Sequence, residues 1–297
     1  MKKLTTVFKT TRPSFLILTP VCVFLGLSTS VTNGSPINFF LFLIILIGAV
    51  SAHISVNTLN EYYDFKSGLD LKTKRTPFSG GSGTLPGNPE IAGLVFMLGL
   101  VSLFVTIIIG IYLVLTSGMQ ILPVGLIGVM LIMTYTQWLN RLPLLCLVAP
   151  GLGFGTLMVI GTHVILTKEY SPLAWQVSLI PFFLLNNLLL LNQYPDIKAD
   201  ASVGRKTFPI IYGVEKSNFV YAFSMLTAYS LILLYIVKGI IPVLGCIALL
   251  PFLLSLFSLI GAVKHKAKIG DFPMYMAANV AAAISTPLLL GISILIG

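Results

Sequence analysis

Two short segments of this chain concentrate oxygen-bearing side chains at a spacing that suits metal chemistry. The first motif runs from Asn60 to Asp70 (NEYYDFKSGLD) and the second from Asn192 to Asp200 (NQYPDIKAD). Each contains Asn-x-x-x-Asp, and residues four apart project from the same face of a helix. Carboxylate and amide oxygens suit Mg²⁺, which commonly completes its coordination shell with substrate phosphates. The pattern therefore predicts a divalent-cation site built from both motifs.

The two motifs hold five of the nine acidic residues of the chain, which is more than a random scatter of loop charges would give. Together with the amides, the predicted metal ligands are Asn60, Glu61, Asp64, Asp70, Asn192, Asp196 and Asp200. Among these, we expect Asp64, Asp196 and Asp200 to be essential for catalysis, because they carry the negative charge at the repeated positions of the motifs.

The composition predicts the elements that must position these residues. The 297-residue chain is 56% hydrophobic and only 9% charged, with a mean hydropathy of +0.98, whereas soluble domains carry about 25% charged residues. Apolar windows of about 20 residues are typical of membrane-spanning helices. Nine are predicted, at 14–32, 37–57, 91–114, 119–138, 143–166, 173–193, 218–237, 240–261 and 273–296. We therefore expect an all-α, polytopic protein embedded in a lipid bilayer.

The basic residues predict how the chain is oriented. With nine spans, 16 of the 18 Lys and Arg residues lie on one side, and only Lys168 and Lys238 lie on the other. Cytoplasmic loops carry an excess of Lys and Arg, so the N-terminus and both motifs are predicted to be cytoplasmic and the C-terminus extracytoplasmic. No basic stripe with interleaved aromatic residues is present, so nucleic acid is not an expected partner. The sequence does not indicate an obligate protein partner either.

A weak internal repeat relates the two halves of the chain. Offsets of 129 to 132 positions relate Arg12 to Arg141, Pro20 to Pro150, Asn60 to Asn192, and Asp70 to Asp200. The repeat describes two four-helix units followed by a ninth helix, although chance similarity between apolar segments is an alternative explanation. Repeats of this kind often place a functional site between the two halves of a membrane protein.

Basic residues next to the motifs add a second half to the predicted site. Lys72, Arg141, Arg205 and Lys206 are the candidate anion-binding residues, because they adjoin the carboxylate motifs or the turn after the fourth span. Carboxylates that bind Mg²⁺ beside basic side chains suit a diphosphate, whose departure the metal assists. The Gly- and Pro-rich loop 77–89 follows the first motif. It is either a flexible connector or a lid over the site.

A diphosphate whose remaining part enters an apolar bundle would be an isoprenyl diphosphate. Ionisation of its allylic C–O bond gives a carbocation, and apolar walls would exclude the water that quenches such a cation. An electron-rich hydroxylated aromatic ring could then attack the cation. The sequence therefore predicts prenyl transfer in the membrane.

At this point the chain resembles the UbiA superfamily of intramembrane prenyltransferases along essentially its whole length. The resemblance is carried by Asn60-Glu61-Tyr62-Tyr63-Asp64 with Asp70, by Tyr135 with Arg141, and by Asn192, Asp196, Asp200 and Gly204-Arg205-Lys206-Thr207. It implies one domain over 1–297, nine helices around a central cavity, two Mg²⁺ ions that hold the diphosphate, and Tyr135 as a candidate acceptor-binding residue. The first motif is most similar to the branch that prenylates 1,4-dihydroxy-2-naphthoate in menaquinone biosynthesis.

The chain departs from the family pattern at three places. Glu61 stands where many members have the shorter Asp, so its contact with a metal is expected to be indirect. Asp64 and Asp70 are six residues apart rather than four, and a second basic residue after Arg141 is missing.

Two alternatives to this function are left open by the sequence. The first is prenyl transfer to another acceptor, such as 4-hydroxybenzoate or a glycerol-phosphate lipid, or cyclisation of the prenyl chain. The second is a cation-coupled transporter, which would also show repeats and intramembrane carboxylates. Transporter sites tend to lie near the midplane of the membrane, whereas both motifs are predicted to lie at one membrane face.

Overall fold

The computed structural model of the protein describes residues 2–32 and 37–297. Its α-helices are α1 (Lys2–Lys9), α2 (Pro13–Leu16), α3 (Leu18–Val31), α4 (Phe39–Lys66), α5 (Thr84–Gly87), α6 (Ala92–Ser117), α7 (Leu122–Thr134), α8 (Pro143–Pro150), α9 (Met158–Thr167), α10 (Pro172–Asn192), α11 (Ile197–Ser202), α12 (Phe208–Val237), α13 (Phe252–His265) and α14 (Pro273–Ile296). A π-helical segment, Gly151–Leu157, joins α8 to α9. No strand occurs within the described residues.

Eight helical stretches are long and apolar enough to cross a membrane, which confirms the all-α, polytopic prediction. They are Pro13–Val31, Phe39–Lys66, Pro89–Ser117, Pro143–Thr167, Pro172–Asn192, Phe208–Val237, Val243–Asp271 and Pro273–Ile296, and a shorter apolar helix covers Met119–Thr134. Several of these stretches begin with proline at the first helical position, where the missing N–H would have no helical partner in any case.

The predicted span 119–138 is shorter in the structure. The helix ends at Thr134, and the chain then forms a short 3₁₀ turn at Leu139–Arg141. Contacts with both motif regions hold this segment out of the helix, because the Asn60 amide donates to the Thr136 hydroxyl at 3.2 Å and the Lys206 N–H donates to the Asn140 carbonyl at 2.8 Å. The end of this helix is therefore set by tertiary contacts, which hydropathy does not report.

The second motif does not form one continuous helical face, as its spacing had predicted. Helix α10 ends at Asn192, a turn follows, and α11 begins at Ile197. Pro195 lies in this turn, where it has no N–H to continue the helix. Asp196 and Asp200 still lie one turn apart, because the Asp200 N–H donates to the Asp196 carbonyl at 2.8 Å. In contrast, the first motif is helical as predicted, because α4 continues to Lys66.

Two asparagines in α10 stabilise the bundle. The Asn186 side chain accepts the Gly151 N–H at 2.7 Å, at the start of the π-helical segment, and the Asn187 amide donates to the Tyr221 carbonyl of α12 at 2.9 Å. A Cβ atom at Gly155 would lie 2.5 Å from the Phe182 N, so glycine lets this segment pack directly against α10. These contacts fix one wall of the central cavity.

Candidate active site

A cavity of about 680 Å³ connects the two motifs with the interior of the helical bundle. Its wall includes residues of α3, α4, α6, α7, α8, α9 and α10 and of the π-helical segment. At one end, which we call the motif end, the charged lining residues are Arg12, Asp64, Asp70, Asp196, Asp200 and Arg205. Much of the remaining wall is apolar and includes Leu113, Val124 and Leu157. The cavity therefore offers a charged compartment beside an apolar one.

The first motif contributes side chains from the end of α4 and from the turn that follows. Asn60 and Asp64 lie one helical turn apart, and both line the cavity. Asp70 returns to the same place because the N–H of Leu69 donates to the Asp64 carbonyl at 3.0 Å. Asp70 Oδ2 is buried and has no hydrogen-bond partner within the described chain.

The second motif contributes Asn192, Asp196 and Asp200, which all line the cavity. Asp196 Oδ2 accepts the backbone N–H of Gly80 at 3.0 Å. The other carboxylate oxygen, Asp196 Oδ1, is buried without a partner among the residues described. The structure thus brings Asn60, Asp64, Asp70, Asn192, Asp196 and Asp200 to one cavity.

Arg205 connects the two motifs. Its guanidinium donates to Asp200 Oδ1 at 3.0 Å and forms a second ion pair with Asp64. Gly204, which has a φ of 81°, precedes it, and the Arg205 N–H donates to the Asp200 carbonyl at 3.1 Å. Of the four predicted anion-binding residues, Arg205 is the one that the structure places in the wall of the cavity.

Arg12 is a candidate functional residue that the sequence analysis did not assign to the site. It lines the cavity, and its guanidinium donates to Glu61 Oε1 from Nε at 3.0 Å and from Nη2 at 2.9 Å. Its backbone is left-handed, with a φ of 52°, which is uncommon for a residue other than glycine. The sequence signal that could have found it was the repeat that relates Arg12 to Arg141.

Glu61 holds the loop after the first motif. Its Oε2 accepts the Ser82 hydroxyl at 2.7 Å, and its Oε1 accepts the Ser82 N–H at 2.5 Å in addition to Arg12. Glu61 is not part of the cavity wall, in contrast to Asp64 and Asp70. Its predicted role in metal binding stays a prediction, and in this structure its carboxylate is occupied by protein donors.

The loop 77–89 lies against the motif end. Ser79, Gly80 and Gly81 line the cavity, and Gly80 is bonded to Asp196. Gly81 has a φ of 69°, and a Cβ atom there would lie 3.0 Å from Glu61 Oε1. Glycine is therefore needed both for the backbone conformation and for the close approach. The contacts of this loop favour a lid over a free connector.

The other predicted anion-binding residues lie outside the cavity. Arg141 and Lys206 are exposed, and Lys72 is exposed with its Nζ 3.4 Å from the Ser202 hydroxyl. None of these three lines the cavity. Side chains of lysine and arginine are long, so these residues are placed to meet an anion before it enters rather than inside the cavity.

A small polar cluster lies beside the motif end. Tyr135, the candidate acceptor-binding residue, lines the cavity together with Cys146 and Gln193. The Gln193 amide donates to Cys146 Sγ at 3.6 Å, and Gln193 Oε1 is buried without a partner in the described residues. The sequence analysis did not single out Gln193, although it lies within the second motif.

Burial changes the acidity of two carboxyl groups. Desolvation raises the pKa of Asp70 to about 7, and the nearby Glu61 and Asp64 add to the effect. Desolvation likewise raises the pKa of Asp196 to about 7, with a further contribution from Asp200. A cation at the motif end would favour the charged form of both groups, so protonation and cation binding compete there.

The donor set of the motif end fits Mg²⁺. The oxygens Asp70 Oδ2 and Asp196 Oδ1 are buried, unpartnered and on the cavity wall. No group of three or more His, Cys, Asp or Glu residues in the described chain is arranged to enclose an ion by itself. This agrees with the habit of Mg²⁺, which is usually held by one or two carboxylates and by substrate phosphates rather than by a complete protein cage.

The fold and the cavity define a multi-pass membrane protein with a charged site at the mouth of an apolar chamber. The sequence profile of the UbiA prenyltransferase family matches residues 19–281, which is most of the chain. The chain belongs to this family and is therefore a prenyltransferase.

Characterised relatives and solved structures are similar to the chain over most of its length. It is 28% identical over 236 residues to a 1,4-dihydroxy-2-naphthoate octaprenyltransferase of Bacillus subtilis, covering 77% of this chain and 73% of the relative. It is 28% identical over 283 residues to UbiA prenyltransferase domain-containing protein 1 of Dictyostelium discoideum, covering 90% and 81%. The solved structure of a UbiA homolog from Archaeoglobus fulgidus bound to DMAPP and Mg²⁺ has a TM-score of 0.69 at 14% identity, covering 95% of this chain and 98% of that one.

Proposed function

We propose that this protein transfers an isoprenyl group from an isoprenyl diphosphate to a hydroxylated aromatic acceptor inside the membrane. We further propose that Mg²⁺ is required and that the acceptor is 1,4-dihydroxy-2-naphthoate, for menaquinone biosynthesis. The observation that carries the proposal is the cavity itself, which joins carboxylates of both motifs and Arg205 to an apolar chamber of matching chemistry. The A. fulgidus homolog with bound DMAPP and Mg²⁺ supports the donor and the metal.

The residues of the motif end would hold the diphosphate. Asp64 and Asp70 from the first motif and Asp196 and Asp200 from the second would bind two Mg²⁺ ions, with Asn60 and Asn192 as further oxygen ligands. Bound Mg²⁺ would neutralise the charge that develops on the departing diphosphate. Arg205 could then exchange its carboxylate partners for phosphate oxygens, because a guanidinium binds both groups through the same paired donors. Lys72, Arg141 and Lys206 would attract the anion from the mouth.

The apolar compartment would hold the isoprenyl chain and protect the reacting carbon. When the allylic C1–O bond breaks, its electron pair leaves with the diphosphate. A ring carbon of the acceptor forms the new bond to C1, and its proton passes to a diphosphate oxygen or to water. Excluding other water from the cavity favours transfer over hydrolysis.

Two observations support dihydroxynaphthoate as the acceptor. The B. subtilis relative that matches 77% of this chain is named for that substrate. The carboxylates at the motif end would be engaged with the cation, so the acceptor must be activated mainly by its own hydroxyl groups. A dihydroxynaphthoate has two ring hydroxyls and relies less on a protein base than a monohydroxybenzoate does. Tyr135, beside the motif end, is a candidate contact for it.

The first prediction concerns the motif carboxylates. Asp64→Asn and Asp196→Asn should each lower kcat/KM by more than about 100-fold, or roughly 3 kcal/mol, which is the scale for the loss of one preorganised electrostatic group. Activity should also disappear in EDTA and return with added Mg²⁺. Glu169→Gln is the matched control, because Glu169 is an exposed carboxylate outside the cavity wall. Wild-type activity in either Asp variant, with normal folding in detergent, would refute the proposed site.

The second prediction compares two arginines related by the repeat. Arg12 lines the cavity, whereas Arg141 is exposed outside it. Arg12→Gln should therefore raise the KM for the prenyl diphosphate at least tenfold, and Arg141→Gln should raise it less. Arg12→Lys should recover part of the loss, because it keeps the charge without the paired donors. If Arg12→Gln raised the KM of donor and acceptor equally, Arg12 would have a structural role only.

The third prediction concerns orientation. We propose that the motif end faces the cytoplasm, because 16 of 18 basic residues belong to that side, in keeping with the positive-inside rule. A reporter fused after Lys268, in the turn between α13 and α14, should be cytoplasmic, and one fused after Gly297 should be extracytoplasmic. Finding both reporters on one side would contradict the proposed orientation.

The fourth prediction tests the acceptor. Purified protein with Mg²⁺, a limiting amount of labelled geranylgeranyl diphosphate and equal concentrations of 1,4-dihydroxy-2-naphthoate and 4-hydroxybenzoate should give mainly the prenylated naphthalene. Product masses report the outcome directly. Predominant prenylated hydroxybenzoate, or a cyclised hydrocarbon with neither acid consumed, would replace the proposed acceptor. Substrate flux in proteoliposomes without turnover would indicate a transporter.

A further inference from the structure

One face of α4 carries a line of polar side chains into the cavity. His53, Asn57, Asn60 and Asp64 are spaced four, three and four residues apart, so they share a helical face. All four line the cavity. His53 lies seven residues before Asn60, or about 10 Å along the helix axis at the usual rise per residue. The line therefore extends from the motif end into the otherwise apolar compartment.

His53 is held in a defined orientation. Its Nδ1 lies 2.8 Å from the Thr19 hydroxyl of α3, and its ring centroid lies 4.4 Å from that of Phe154 in the π-helical segment. Nε2, in contrast, has no hydrogen-bond partner in the described chain, and it is absent from the fully enclosed unpartnered atoms. This nitrogen consequently reaches open space in the cavity.

His163 provides a natural comparison. Its Nδ1 lies 2.9 Å from the hydroxyl of Thr29, which is also in α3. Its Nε2 has no partner either, within the part of the chain that the structure describes, but this atom is completely enclosed and the residue does not line the cavity. Both histidines therefore tie a neighbouring helix to α3, and only His53 also presents a nitrogen to the cavity.

Asn57 lies one turn closer to the motif end. Its Nδ2 donates to the Thr11 carbonyl at 2.9 Å, next to Arg12. Its Oδ1 has no partner among the described residues and is not enclosed. His53 Nε2 and Asn57 Oδ1 are thus two polar atoms on the same wall, between the carboxylates and the apolar part of the cavity.

We propose that His53 and Asn57 form the binding subsite for the polar groups of the aromatic acceptor, with His53 Nε2 bonded to a ring hydroxyl. The proposal deepens the proposed function and rests on it. An isoprenyl chain offers no hydrogen bond, so it would leave both atoms desolvated and unpaired, which is unfavourable. A hydroxylated aromatic ring offers oxygen atoms at its edge and an apolar face for Phe154. One end of such a ring could reach His53 while the other lies near the reacting carbon.

A phenolic hydroxyl suits His53 in either tautomer. If the Thr19 hydroxyl donates to Nδ1, then Nε2 carries the hydrogen and donates to the ligand. If Nδ1 donates to Thr19, then Nε2 accepts. A hydroxyl group can meet both cases because it donates and accepts.

The test compares three variants. His53→Phe keeps an aromatic ring beside Phe154 and removes the nitrogen, His53→Gln keeps a hydrogen-bonding group, and His163→Phe removes the other buried Thr–His bond. We expect His53→Phe to raise the KM for the acceptor at least tenfold with less than a twofold change for the prenyl diphosphate. His53→Gln should show a smaller rise, and His163→Phe should leave both KM values unchanged. Thermal unfolding in detergent reports any loss of stability separately.

The acceptor provides an independent arm. Inhibition constants of 1,4-dihydroxy-2-naphthoate, 1-hydroxy-2-naphthoate and 2-naphthoate, measured against the labelled acceptor that the wild type prenylates, show the value of each hydroxyl. The wild type should bind a hydroxylated acid at least tenfold more tightly than the analogue that lacks the group bonded to His53, because a polar site rejects an unpaired partner. His53→Phe should lose this discrimination.

The two failures are distinguishable. If the wild type prenylates a hydroxylated acid and His53→Phe changes both KM values alike, or keeps the discrimination between the acids, the subsite is overturned while the proposed function stands. If the wild type prenylates no hydroxylated aromatic acid, the proposed function and the subsite fall together.

Discussion

The placement of several carboxylates at one end of an apolar bundle is the constraint on which the rest of the site depends. Asp64 and Asp200 come from different motifs and lie close enough to share Arg205. Buried like charges repel one another, and an uncompensated buried charge is strongly destabilising. The guanidinium of Arg205 compensates two carboxylates at once, and that of Arg12 compensates Glu61. The motif end is therefore stable without a metal and is still rich in oxygen ligands.

The same constraint explains the form of the loop after the first motif. Its glycines bring backbone N–H groups to carboxylates that a bulkier chain could not approach, as Gly80 does at Asp196. Ser82 then fixes the loop to Glu61. The one glutamate of the first motif thus holds the lid and Arg12, while the shorter Asp64 remains on the cavity wall. The longer Glu61 side chain, in place of Asp, is compatible with this division of roles.

Much of the fold was predictable because bilayer helices need long apolar segments, and eight such helices and a shorter one are present. The motif carboxylates on the cavity wall were also predictable, since their types and spacing are local properties. What the sequence could not give depends on contacts between distant residues. Thr134 ends its helix early because the following segment bonds to Asn60 and Lys206. Arg12 joins the site through a left-handed backbone, whereas Arg141 is exposed.

The cavity has a gradient of polarity that assigns a different part of the reaction to each level. The motif end combines carboxylates with arginine and suits a diphosphate with its cations. Further in, His53 and Asn57 present neutral polar atoms on the same face of α4, which suit hydroxyl groups rather than a second strong charge. Beyond them the wall is largely apolar and suits an isoprenoid chain. One helix face, read from Asp64 back to His53, thus orders the leaving group, the acceptor and the chain along a single axis.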